Sequence, residues 1–211
     1  MITRVRAKGK AAQLAVLFFF ITSTACFSAL ALRCGLGVGP WDAMAKTIAE
    51  MTRIQVGSVG LIMNLGCVAI QLILQKGKIH SKVILQIPLC ILLGIYINFF
   101  FYRIFPNVSH LAYINRLMLL LFSYICLAFS IAIIMELNIV TFSLEGTCRV
   151  LQAIVKLDYG VIRLLVDLLC IVLCLVIYFT RSEILNIREG SVIVMLLFGP
   201  LLSLFSKRLR N

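Results

Sequence analysis

Five uncharged, apolar runs of close to twenty residues divide the chain: 11–32, 56–75, 83–102, 117–135 and 190–206. A sixth, 161–179, is apolar apart from Arg163 and Asp167. A helix rises ~1.5 Å per residue, so about 20 residues cross a ~30 Å hydrocarbon core. The pattern predicts an all-α, polytopic transmembrane bundle of about six spans. Connecting segments are brief, which makes 1–211 a single integral membrane domain. The basic start, Met1 to Lys10, followed by an apolar run reads as a retained first helix rather than a secretory leader.

Two polar segments interrupt this pattern, and neither is long enough to span. The first opens Gly35-Leu-Gly-Val-Gly-Pro-Trp-Asp42. Its glycines, Gly37 and Gly39 among them, end the preceding helix, and Pro40 pre-sets a new one. Over 41–52, Met44, Ile48 and Met51 fall on one side of a helix and Lys46 and Glu50 on another. The second segment, 144–155, follows Ser143, a candidate cap. Asp42 with Lys46, and Glu145 with Arg149, are acid-first pairs at i, i+4, the favourable order near a helix start. Each segment is either an interfacial helix lying on the bilayer, with Trp41 at headgroup level, or a re-entrant half-helix lining a pathway.

The halves align after a shift of 103 positions. Asp42 then falls on Glu145, Lys46 on Arg149, Arg53 on Lys156, Gly57 on Gly160, Asn64 on Asp167 and Cys67 on Cys170. After a two-residue slip, Gly94 falls on Gly199 and Asn98 on Ser203. Repeat 1 covers about 11–102 and repeat 2 about 117–206. Each holds three spans, and an odd number sends the second copy through the membrane the opposite way round, giving an inverted repeat.

Composition agrees with a lipid setting: 62% of residues are hydrophobic and 13% charged, against about 45–50% and about 25% in soluble domains. The net charge of +12 does not indicate nucleic acid, because the basic residues sit at the ends of apolar runs. With the N-terminus inside, cytoplasmic segments hold twelve (Arg4, Arg6, Lys8, Lys10, Lys76, Lys78, Lys82, Arg149, Lys156, Lys207, Arg208, Arg210) and outer segments seven (Arg33, Lys46, Arg53, Arg103, Arg116, Arg181, Arg188). That bias predicts both termini in the cytoplasm. Eight cysteines and two histidines show no metal-ligand spacing, so neither a metal nor another cofactor is expected, and the cysteines read as small hydrophobes.

Arg163 and Asp167 share one helix face. Charge at mid-membrane costs about 2.5–3.5 kcal/mol on insertion scales, so such residues usually face the bundle interior and pair. Arg163 either does this or snorkels to the interface; Asp167 lies deeper. Asp42, Lys46, Asn64, Glu145, Arg149, Arg163 and Asp167 are therefore the candidate pathway or binding residues. Gly37, Gly39, Pro40, Trp41, Gly57, Gly94, Gly160 and Gly199 are the candidate structural motif.

The stretch Leu36-Gly-Val-Gly-Pro-Trp-Asp42, with Gln55-Val-Gly-Ser-Val-Gly60 and Gly199-Pro-Leu-Leu-Ser203, resembles the YczE/YyaS/YitT family of bacterial membrane proteins. That resemblance implies a multi-span helical fold in the bacterial inner membrane and carries over no catalytic residues. The second half has Phe142-Ser-Leu where the first has Gly-Pro-Trp, so the half-sites are not equivalent. Two functions are expected from these features. One is a transporter-like protein moving a small solute or ion between the repeats. The other is a non-transporting accessory or regulatory protein acting through helix contacts, with a homodimer open to either. An enzyme is not expected, since no nucleophile with its base is legible.

Overall fold

Hydrocarbon offers backbone amides no water, so a chain this apolar satisfies them within helices. The computed structural model describes residues 9–76, 81–181 and 186–210. Arg4, Arg6, Lys8 and Lys78 of the charge count lie outside the described residues, as do the side chains of Arg181 and Arg210. The helices are α1 (Lys10–Cys34), α2 (Pro40–Thr52), α3 (Val56–Leu74), α4 (Ser81–Phe99), α5 (Tyr113–Leu137), α6 (Ser143–Val155), α7 (Tyr159–Arg181) and α8 (Glu189–Arg210). A π-helical turn, Phe100–Ile104, extends α4. All but α2 and α6 are long and apolar enough to cross a membrane, and no strand occurs among the described residues.

The boundaries recur at a fixed offset. Helix α1 begins at Lys10 and ends at Cys34; α5 begins at Tyr113 and ends at Leu137, 103 residues later at both ends. The short helices repeat it, Pro40 to Ser143 and Thr52 to Val155, and so do the starts of α3 and α7, Val56 and Tyr159. Caps recur as well. Gly35 and Asn138 close the long helices in the left-handed conformation. Arg53 and Lys156, at φ 58° and 59°, close the short ones. A non-glycine residue there is uncommon, so its recurrence at matched positions is structural information beyond apolar similarity.

Helices α1 and α5 form the central pair. Phe20 meets Phe129, Ser23 Oγ lies 2.9 Å from Ser130 Oγ, and Phe27 meets Phe122. Partner numbers go from 129 and 130 to 122 and then to Arg116, which donates to Cys34 O, as α1 advances, so the two helices run antiparallel. Ala25, Ala29, Ala128 and Ala132 are fully buried, small enough to let the backbones approach. They too pair off 103 apart. Helix α4 packs on α1 and α8 on α5, while α2 and α6 each pack against both α3 and α7. Exchanging the halves therefore maps most contacts onto one another.

The exception is α3 with α4. A Cβ on Gly57 would run into the Gly94 carbonyl oxygen, and one on Gly94 would meet Gly57 O at 2.8 Å. Their sequence mates Gly160 and Gly199 have nothing within 4 Å of such a Cβ, because α7 and α8 share no comparable interface. The expected glycine motif is thus a packing contact in the first half only. Gly57→Leu is expected to cost about 1–3 kcal/mol by overpacking, and Gly160→Leu to stay within about 0.5 kcal/mol of wild type. Thermal unfolding in detergent tests this; equal effects would remove the assigned role of Gly57.

Candidate functional site

The site is built by the excursions that carry α2 and α6. After α1 the chain turns left-handed at Gly35 and Gly37, at φ 65° and 99°. A side chain at Gly37 would also strike Ser191, with Oγ at 2.6 Å. Gly39 is extended, its N–H donating to Tyr124 Oη at 2.9 Å, and Pro40 starts α2 as the sequence predicts. Helix α2 then runs back until Arg53 lines the same cavity as Gly35. The excursion thus ends where it began, with the first turn of α2 at its far tip. Helix α6 leaves α5 through the equivalent residues, left-handed Asn138 and extended Phe142.

The two tips share one charged cluster, centred on Arg163 of α7. Its Nη1 lies 3.2 Å from Glu145 Oε1, in the first turn of α6, and its Nε 3.2 Å from Asp167 Oδ2. Asp42, in the first turn of α2, is half-buried and feels Arg163, Glu145 and Asp167. Burial pushes the Asp42 carboxyl up to about 6; Arg163 opposes the rise and the two other carboxylates add to it. The second oxygen of Asp167, Oδ1, is buried with no hydrogen-bond partner among the described residues, an unusual state for a native acceptor. Thus Asp42, Glu145, Arg163 and Asp167, drawn from three helices, come together. Arg163 does not snorkel.

Asn64 belongs to a neighbouring neutral network. Its Oδ1 accepts from Ser143 Oγ at 2.7 Å, and its Nδ2 donates to Gly60 O. Gln71 and Gln86 form a reciprocal amide pair, Nε2 to Oε1 at 2.9 and 3.3 Å, and Gln71 Nε2 also donates to Ser143 O. Thr147 Oγ1 donates to Cys67 O at 3.1 Å. Gly146 leaves room for the amide pair, since a Cβ there would meet Gln71 Oε1 at 2.6 Å. Gln71 and Gln86 are 1% and 2% exposed. Sequence reasoning passed over both, although an amide inside an apolar run is a polar group that lipid will not satisfy, and that was the available signal.

Other expected roles change. Lys46 does not pair with Asp42; its Nζ lies 4.0 Å from Glu50 Oε1, because Asp42 sits at the buried tip and Glu50 a turn beyond Lys46. Arg149 is exposed and apart from the cluster, since Glu145 turns to Arg163. Trp41 is no headgroup anchor: it packs on Cys67, Leu144, Cys148 and Ile162, where α2 meets α6. Ser143 is not the cap but the first helical residue, and its hydroxyl serves Asn64. On the outer side of α2, Asn186 Nδ2 donates to Thr47 Oγ1 and Glu50 Oε2, tying α2 to the segment before α8.

The chain belongs to the family of unknown function DUF6198, whose family model matches residues 11–207. That match lends no support to the YczE/YyaS/YitT resemblance in particular. No curated protein and no solved structure matches the chain. It is a multi-span membrane protein of a family without an assigned activity.

Proposed function

We propose that the chain is a small transporter-like protein of the bacterial inner membrane, and that α2 and α6 are re-entrant half-helices from opposite faces. One observation carries this reading: the first turns of the two half-helices meet at a shared, largely buried charge cluster, Asp42 and Glu145 around Arg163 and Asp167. The recurring boundaries and the antiparallel α1–α5 pair support an inverted duplication. Interrupted helices at matched positions of inverted halves are where transporters build their sites. The resemblance of Leu36–Asp42 to the YczE/YyaS/YitT proteins supports the bacterial inner membrane.

Charge selects the class of cargo. Three carboxylates face one guanidinium and two helix N-termini, each worth about +0.5, so the ionised site carries about −1. A proton or a monovalent cation neutralises it, and Asp167 Oδ1, without a partner among the described residues, is an acceptor for either. In proteoliposomes with an entrapped pH dye and imposed proton, sodium or potassium gradients, wild type should conduct above protein-free vesicles. Asp42→Asn and Glu145→Gln should each lower that flux about tenfold or more. Folded protein passing none of these ions defeats the cation reading and moves the chain to the accessory role.

Orientation is tested separately. Both termini are proposed to be cytoplasmic, so reporter fusions at Asn211 and between Lys76 and Lys82 should both score cytoplasmic. A periplasmic score at either breaks the six-span count and the inverted repeat with it.

A further inference from the structure

We propose a second site, distinct from the acid cluster: an anion-binding cavity of about 350 Å³ where α1 and α2 end. Three cations line it, Arg33 from α1, Lys46 from α2 and Arg53 from the cap of α2, against one acid among the described residues, Glu50. The side chains sum to +2, and the two helix C-termini, each worth about −0.5, leave the site about +1, opposite in sign to the cluster at the tip of α2. The cations are held in place but not neutralised. Arg33 Nε donates to Phe101 O at 2.9 Å, and its guanidinium lies 4.0 Å above the Phe101 ring. That geometry fixes the group and leaves its terminal nitrogens without a protein acceptor among the described residues. Within the same set, Lys46 has only the 4.0 Å contact with Glu50, whose other oxygen is taken by Asn186. Burial holds the Lys46 ammonium below its ordinary range, Glu50 opposes this, and Arg33 and Arg188 add to it.

The backbone supplies an independent sign. Phe101 and Tyr102, which form the aromatic wall, sit in the π-helical turn Phe100–Ile104. Such turns are rare, and they appear frequently at functional sites. Arg53, which also lines the cavity, is held in a left-handed conformation, φ 58°. A small oxyanion fits these groups, one bearing a phosphate or carboxylate that an Arg fork and an ammonium recognise. The source is either a soluble anion or the phosphate of an anionic lipid headgroup.

The test uses the full chain in nanodiscs, with inorganic phosphate as probe and thermal unfolding as readout. In zwitterionic phosphatidylcholine, phosphate should raise Tm saturably and more than chloride at equal ionic strength. Lys46→Gln and Arg53→Asn, the latter chosen because asparagine tolerates the left-handed cap, should each weaken binding about tenfold, the loss of one charge-assisted hydrogen bond. Glu50→Gln should tighten it, which a merely structural role would not produce. Suppose instead that phosphate has no effect but phosphatidylglycerol stabilises wild type and not Lys46→Gln or Arg53→Asn. The site then holds, with lipid as its source. No anion-specific stabilisation by either, or equal stabilisation of wild type and variants, overturns it. The site does not rest on the transport reading.

Discussion

Arg163→Leu should cost about 3–5 kcal/mol of stability at neutral pH, the typical result of removing one partner from a buried ion pair. The magnitude follows from what remains. Glu145 and Asp167 each lose a contact of 3.2 Å, and Asp42 loses the cation that offsets its burial. The side chains of Glu145 and Asp167 are 19% and 14% exposed, too little for water to screen three neighbouring carboxylates. Two helix N-termini remain, but each is worth about 0.3–1 kcal/mol, up to ~2 in a buried setting. They cannot offset the loss. Arg163→Lys should fall between, because a point charge cannot bridge Glu145 and Asp167 as a planar fork does. Adding Asp167→Asn to Arg163→Leu should recover part of the loss, since residues in one network do not act additively. Thermal unfolding at pH 7.5 and 4.5 checks the cause: protonating Asp42, which titrates at about 6, at the lower pH should narrow the gap between variant and wild type. A loss below about 1 kcal/mol at neutral pH would mean an exposed, screened cluster, and the re-entrant reading would fall with it.

Spans and short helices were legible because apolar run length and the Gly-Pro punctuation at 35–40 are local signals. The observed short helices, Pro40–Thr52 and Ser143–Val155, differ from the expected 41–52 and 144–155 by one residue at their starts. What sequence could not settle was which acid meets which base. Helical spacing offered Lys46 to Asp42 and Arg149 to Glu145, contacts of about a few tenths of a kcal/mol on a surface helix. Burying the tips of α2 and α6 against α7 places Arg163 within reach of Glu145 instead. That preference depends on tertiary packing, which no periodicity encodes. The basic residues expected on the outer side had a similar fate. Arg116 and Arg188 donate to Cys34 O and Gly35 O, the free carbonyl end of α1, where cations are favoured. Arg33, Lys46 and Arg53 line the cavity beside them. Arg33, Arg116 and Arg188, three of the seven residues that opposed the orientation bias, thus have structural partners of their own, which supports the proposed cytoplasmic termini.

Asp42→Asn should make the protein more stable at neutral pH while lowering the proposed ion flux. Burial holds the Asp42 carboxyl at about 6, above its ordinary 3.8, so the native state keeps this proton where the unfolded chain has released it. The sign follows from linkage: a native state that binds more protons loses stability as pH rises. Below about pH 4 the carboxyl is protonated in both states and costs nothing. Between about 4 and 6 the penalty grows, and above 6 it stays in full. Its size is about 2 kcal/mol, because each tenfold change in proton affinity is worth about 1.36 kcal/mol and partial exposure lowers the total. Asparagine has the same shape and no charge to desolvate. The variant should therefore match wild type near pH 4 and exceed it by about 2 kcal/mol at pH 7, with the difference opening across pH 4–6. Because Glu145, Asp167 and Arg163 remain in both proteins, the difference curve reports Asp42 together with its coupling to them. Unfolding measured in detergent from pH 4 to 8 gives that curve. A variant less stable than wild type at pH 7 would show that Asp42 is chiefly an ion partner of Arg163, kept for stability. A more stable, inactive variant would show a carboxylate retained despite its cost, the trade between stability and activity expected of a working site.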